Sequence, residues 1–309
     1  MDGKKEGLQV KNDVSGVVYG VIAYTVWGLL PIYWKLLGEI PADEILAHRI
    51  FWAFLFVGGL FLSKNDIGVL KEAIKERKNI RNILICSFLI TINWGTYIWA
   101  VNSGRILESS MGYYINPLMV VLLGMTVLKE KLNVLQYISI VFAAAGVIII
   151  TVQFGNIPWV SLLLALSFAL YGLFKKLLKV ESLTGMVLET AAVMPLALGY
   201  ILFKLFSGQS ALYSVPLSTA AILMLSGIAT ALPLLWFAMG AARLKLSTLG
   251  FLQYISPTLS LLLGVFLYGE KFTVTHLLSF SFIWTGLIIY SFSNFEAKSK
   301  LGNSKQADE

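Results

Sequence analysis

The 309-residue sequence predicts an all-α integral membrane protein: ten transmembrane helices built as two inverted five-helix repeats. Three observations lead there. Hydrophobic residues make up 57% of the chain and charged residues 13%, with a mean hydropathy of +0.78, whereas soluble domains carry about a quarter charged residues. Apolar stretches of the roughly 20 residues needed to cross a bilayer recur along its whole length. The chain also repeats itself. AVNSGRILESSMGYYINPLMVVLLGMTVLKEKL, from Ala100, returns as AMGAARLKLSTLGFLQYISPTLSLLLGVFLYGEKF, from Ala238. Arg105, Ser109 and Gly112 recur as Arg243, Ser247 and Gly250, 138 residues on. After a two-residue insertion, Pro117, Gly124, Glu130, Lys131 and Gly146 recur 140 residues on as Pro257, Gly264, Glu270, Lys271 and Gly286.

In chain order the spans are predicted at 15–37, 41–63, 81–101, 106–128, 134–152, 157–178, 184–206, 216–241, 246–268 and 272–292. The turns between them are short and marked by Gly, Pro, Asn or charge, as at 38–41, 155–158 and 269–271. The stretch 64–79 is a longer polar connection with room for a short surface helix. The organisation is thus a polar tail (1–14), a first repeat (15–152), a second repeat (157–293) and a polar, mobile tail (294–309). Residues 1–14 do not read as a cleavable signal, and the apolar stretch after them is long enough to span. Gly16, Gly20, Gly146 and Gly286 are close-packing positions between helices.

The net charge of +7 does not point to nucleic acid, because the cations sit in short loops and form no stripe with interleaved aromatics. Their distribution orients the chain instead. With the N-terminus inside, nineteen Lys and Arg fall on the inner side and three (Arg105, Lys204, Lys271) on the outer. Both termini are therefore expected in the cytoplasm. The turn at Lys129-Glu130-Lys131 then faces in while its repeat partner Glu270-Lys271 faces out, so the halves are inverted, as alternating access requires. Glu130 and Glu270 are expected to anchor loops through neighbouring lysines, and Glu108 to line an outer vestibule or pair with Arg105.

Charges inside spans point to a site, because each costs about 2.5–3.5 kcal/mol near the bilayer centre on insertion scales. The second span holds Glu44, His48 and Arg49, with Glu44 and His48 on one face and Arg49 about 100° further round. They read either as a polar cluster beside a cavity, His48 being the protonation candidate, or as an internal ion pair locking the helix. Glu189 on the seventh span matches His48 and Arg49 through a gap of about three residues. It either flanks the site from the opposite end or pairs with Arg49; Glu189→Gln is expected to abolish transport and spare folding. Pro117 and Pro257 are hinge candidates, since proline frees the carbonyl four residues earlier, here of Tyr113 and Gln253. Tyr113, Tyr114, Asn116, Gln253 and Tyr254 are then cavity-facing. Trp27, Asn93, Trp94, Tyr97 and Trp236 complete the lining, favouring flat, amphipathic or cationic solutes. Trp34, Trp99 and Trp159 read as an interfacial belt. His276 and the single cysteine, Cys86, are expected to be structural, and neither a metal nor a cofactor is predicted.

The two Glu-Lys turns, the paired prolines and the five-plus-five layout resemble the EamA family of the drug/metabolite transporter superfamily. VWGLLPIYWK (26–35), EILAHRIFW (44–52), NWGTYIWAVN (93–102), LESSMGYYINPL (107–118) and GFLQYISPTL (250–259) are similar to the RarD-type members of that family. The resemblance covers nearly the whole chain apart from the tails. It implies a bacterial inner-membrane permease with a ten-helix basket around a central cavity. The expected partners are a small organic solute, the lipid bilayer and, as coupling ion, protons, with no nucleic acid; one chain holds both halves, so a monomer suffices. No Walker-type phosphate loop is present to drive transport by ATP. An integral-membrane enzyme would need a metal or nucleophile constellation that two distant histidines and one cysteine do not make. A sensor or scaffold would carry an appended soluble domain, and the predicted tails are short.

Overall fold

The apolar runs become helices and the polar turns become their ends. The computed structural model describes residues 2–64, 67–103, 106–153, 159–269 and 272–306, with side chains except at 2–13, 98, 101, 102, 106–110 and 294–306. The helices are α1 (Asp2–Lys35), α2 (Ala42–Lys64), α3 (Ile67–Ala73), α4 (Arg77–Asn102), α5 (Ile106–Thr126), α6 (Val134–Gln153), α7 (Trp159–Leu177), α8 (Ser182–Phe206), α9 (Leu217–Arg243), α10 (Leu246–Gln253), α11 (Ile255–Tyr268) and α12 (Val274–Gln306). A 3₁₀ turn covers Ala211–Tyr213, and no strand occurs among the described residues.

Eight segments are long and apolar enough to cross a membrane: Val14–Lys35, Ala42–Lys64, Val134–Gln153, Trp159–Leu177, Ser182–Phe206, Leu217–Arg243, Leu246–Tyr268 and Val274–Ser293. The chain is therefore a multi-pass, all-helical membrane protein. The predicted spans 81–101 and 106–128 fall on α4 and α5, which do not meet that criterion among the described residues; α5 contributes a shorter apolar stretch, Met111–Thr126. The surface helix expected in 64–79 is α3. In the predicted tail, α12 runs on as helix through 294–306. Glu, Ala, Lys and Leu there are good helix formers, and no proline stops the turn. α1 likewise begins well before the apolar stretch. Arg105, Glu270, Lys271, the turn 155–158 and the side chains of Glu108 and Ser109 lie outside the described residues.

The predicted ninth span is two helices. Pro257 has no N–H for the Gln253 carbonyl, and the helix breaks at Tyr254, whose N–H turns back three residues to Phe251 at 3.2 Å. Pro117 does not break α5. Its carbonyl instead faces α10, where a Cβ on Gly250 would come within 2.9 Å of it. Pro31, Pro195 and Pro233 are also carried inside helices.

Glycines set the closest crossings. α1 lies along α9, α10 and α11, where a Cβ on Gly16 would meet Arg243 and Leu244 at 2.9 Å and one on Gly28 would meet Leu259 at 2.8 Å. α5 packs on α7 and α10, α4 on α7 and α8, and α2 on α8 and α9. α6 packs on α12, where Gly146 faces Ser279 and Gly286 faces Ser139. The largest apolar cluster draws on α1, α2, α4, α5 and α7 to α10, and includes Tyr24, Phe61, Cys86, Tyr171, Met186 and Phe237.

Candidate solute-binding site

Arg49 projects from α2 among aromatic rings of α1, α4 and α5. Its guanidinium lies 4.3 Å from the Trp94 ring centroid and 5.1 Å from that of Trp34. Tyr97 and Tyr113, 6.2 Å apart and edge to face, are close enough to interact with its charge. Tyr113 keeps 48% of its surface open. The Arg49 Nε is enclosed and has no hydrogen-bond partner among the described residues. Trp34, expected in an interfacial belt, lies near the end of α1 with its ring beside this cation. Trp99 and Trp159 do pack together at the surface, their rings 5.4 Å apart.

Glu189 does not pair with Arg49. Lys175 of α7 reaches its carboxylate at 2.9 Å, with both side chains buried, and the Tyr171 hydroxyl donates to the other oxygen at 3.3 Å. The Glu189 carbonyl accepts from Ser87 of α4 at 3.2 Å. A cavity of about 20 Å3 opens beside Glu189, lined also by Trp94, Thr190, Thr230 and Tyr171. It has room for about one water. Trp94 thus touches both regions, with Arg49 over its ring and the Glu189 cavity against it.

By sequence Lys175 is only one of the nineteen inner-side cations, at the end of the predicted span 157–178. The usable signal was Tyr171-x-x-x-Lys175, which puts phenol and ammonium on one face, whereas Lys176 turns to another. Lys176 donates to the carbonyl of Leu244 instead.

Glu44 is engaged at the helix end. Its carboxylate accepts from the Ala211 N–H at 3.0 Å and the Ser210 hydroxyl at 3.2 Å, and Lys204 lies 3.8 Å away. The neighbouring Asp43 accepts from the Tyr200 hydroxyl. His48 is buried, its Nδ1 accepting from Trp52 Nε1 at 3.3 Å on its own helix.

Other predicted lining residues tie helices together. Asn93 donates to the Leu164 carbonyl at 2.9 Å and to Ser167 at 3.0 Å, fastening α4 to α7. Asn116 donates to the Ala165 carbonyl at 2.6 Å, fastening α5 to α7. Trp27 packs in an aromatic nest with Tyr24, Phe168 and Phe237. Trp236 leans on the main core, and Tyr114 packs edge-on against Phe280. Gln253 Oε1 and the Tyr254 hydroxyl are buried without partners among the described residues.

At the other end of the bundle, Glu130 does not anchor its loop through lysines. It caps α10, accepting from the N–H groups of Leu246 (2.6 Å) and Ser247 (2.9 Å) and from the Ser247 hydroxyl (2.7 Å). A carboxylate at a helix N-terminus satisfies free N–H groups and meets the positive end of the dipole. His276 accepts from the Thr273 N–H at 3.3 Å, at the start of α12.

The profile of the EamA-like transporter family matches residues 14–152. The uncharacterized transporter YojE of Bacillus subtilis (strain 168) is 49% identical over 94% of this chain and 98% of its own length. Protein RarD of Escherichia coli (strain K12) is 41% identical over 92% of this chain and 96% of its own. The chain belongs to the EamA-like transporter family, as a RarD-type protein. The RarD-type chain also shares its fold with a protein of known crystal structure, at 20% identity and a TM-score of 0.69, over 90% of this chain and 97% of that one.

Proposed function

We propose that the chain is a secondary transporter of the drug/metabolite transporter superfamily, moving a small organic metabolite or drug outward across the bacterial cytoplasmic membrane by alternating access. Ten spans form two inverted halves, 15–152 and 157–293, with both termini in the cytoplasm. The observation that carries this reading is that the helix packing maps onto itself. Exchange α1 with α7, α2 with α8, α4 with α9, α5 with the α10–α11 pair, and α6 with α12. Then α1 on α9 becomes α7 on α4, α5 on α7 becomes α10–α11 on α1, and α2 on α8, α5 on α10 and α6 on α12 become themselves. Two halves that can exchange environments are what alternating access needs.

Further features agree. The cations cluster at the end of the bundle that holds α3 and the 129–131, 175–179 and 243–245 turns, as expected for the cytoplasmic side. The cavity beside Glu189 admits a water but no organic solute, as in a closed state. Pro117 and the break before Pro257 are the proposed hinges. The proposed lining comprises Arg49, Trp94, Tyr97 and Tyr113 with His48 and Glu189; His48 is the group through which proton exchange would couple.

The test is uptake and counterflow in proteoliposomes against a metabolite and drug mixture, with and without a pH gradient. Protein-dependent flux is expected; its absence for every solute favours the alternative of a non-transporting sensor or scaffold. Reporters fused after Leu128 and after Gly269 are expected on opposite sides of the membrane.

A further inference from the structure

Aligned on their first residues, Ala42 and Ser182, α2 and α8 stand 140 apart, the spacing of Gly146 and Gly286, without the gap used in the sequence match. Arg49 and Glu189 are each the eighth residue of their helices, α2 and α8, and Lys35 and Lys175 stand 140 apart near the ends of α1 and α7. In the second half the two positions hold a buried ion pair, Lys175–Glu189. In the first half both positions hold cations, which cannot pair. Lys35 turns away to lie 3.7 Å over the Tyr268 ring, and Arg49, half-buried, meets no acid among the described residues. Three cations elsewhere in the bundle each meet an oxygen: Lys176 that of Leu244, Lys204 those of Asp43 and Glu44, and Arg243 that of Met239. Among the described residues, no oxygen meets a nitrogen of Arg49.

Charges within a membrane protein are ordinarily paired with one another or with carbonyls, and an unpaired buried charge is costly. The rings of Trp94 and Trp34 supply only part of what a carboxylate would, and the Arg49 charge on their faces repels a second cation. We infer that the transported solute is an organic anion, its carboxylate or phosphate oxygens pairing with the Arg49 guanidinium and its flat apolar part lying against Tyr97 and Tyr113. Arginine's planar fork matches both oxyanions, and Tyr113 is the open ring beside it. This rests on the transporter reading and narrows its solute class, away from the cationic solutes that the aromatic lining alone suggests.

The test is the shift in Tm of the detergent-purified chain with benzoate, phenyl phosphate, benzamide or benzylamine. One or both anions are expected to raise Tm, with neither benzamide nor benzylamine matching them. Arg49→Gln is expected to lose the anion shift, weakening binding roughly ten- to hundredfold, while its unliganded Tm stays at or above that of the parent because an unpaired charge is gone. Arg49→Lys keeps part of the shift. A response to benzamide or benzylamine as large as to the anions, no response to either anion, or an anion response unchanged in Arg49→Gln overturns the inference. Flux of a neutral or cationic solute that ignores Arg49→Gln overturns it too and leaves the transporter reading standing. Anion-selective binding without flux of any solute does the reverse.

Discussion

Ser279 and Gly146 hold α12 against α6. The Ser279 hydroxyl donates to the Gly146 carbonyl at 2.7 Å, and a Cβ on Gly146 would sit 2.6 Å from the Ser279 carbonyl oxygen. The contact is reciprocal, since a Cβ on Gly286 would lie 2.8 Å from the Ser139 oxygen. Seven residues forward on α6 are seven back on α12, so the helices are antiparallel, and the counterparts of Gly146 and Ser279, Gly286 and Ser139, meet in their turn. A two-fold interface has this self-complementary form.

Either glycine is intolerant of bulk. Gly146→Leu and Gly286→Leu are each expected to destabilise the fold by about 1–3 kcal/mol through overpacking against backbone oxygens. Thermal unfolding in detergent measures this, and comparable losses at the two positions are expected because the crossing is symmetric.

Gly227 is tighter still. A Cβ there would lie 2.3 Å from the Trp52 carbonyl carbon and 2.5 Å from the Ala53 nitrogen, so α9 and α2 would have to separate. Gly227→Leu is expected to yield little folded protein, read as the monodisperse fraction on size exclusion.

The Lys175–Glu189 pair is predicted to behave as a unit. Losing one partner of a buried pair costs about 3–5 kcal/mol, because the other charge is left uncompensated. Glu189→Gln is therefore expected to lose stability, which alters the expectation from sequence that it spares folding. Lys175→Met combined with Glu189→Leu is expected to recover most of the loss. A double-mutant cycle on Tm measures the coupling.

Glu130→Ala removes the cap of α10 and is expected to cost about 1–2 kcal/mol. Glu130→Gln keeps an acceptor but drops the charge facing the helix dipole, so an intermediate loss of Tm is expected.

Much of the architecture was legible because a bilayer demands long apolar runs and the second half of the repeat is written almost without gaps. Helix ends, the break before Pro257 and the short helix in 64–79 follow from local chemistry visible in the chain. The polar pairings were less legible. Arg49 and Glu189 stood out as charges in apolar surroundings, but which cation Glu189 would meet depended on the rotation of α7 about its own axis. Lys175 and Lys176 are adjacent in sequence and lie about 100° apart on the helix, so one step separates an ammonium buried on a carboxylate from one bonded to loop carbonyls. The approach of Arg49 to the Trp34 ring near the end of α1 was set by packing in the same way.

The sequence by itself determined that this chain is a multi-pass helical membrane protein of the EamA-like family with a duplicated plan. Composition and repeat spacing are properties of the string of residues and survive any packing. Only the tertiary structure decided that Glu189 is neutralised by Lys175, that Glu130 caps α10, and that Arg49 stands among tryptophans and tyrosines with no acid among the described residues. Those outcomes depend on helix rotation and crossing, which bring together side chains on separate helices, from 14 residues apart at Lys175 and Glu189 to 117 at Glu130 and Ser247.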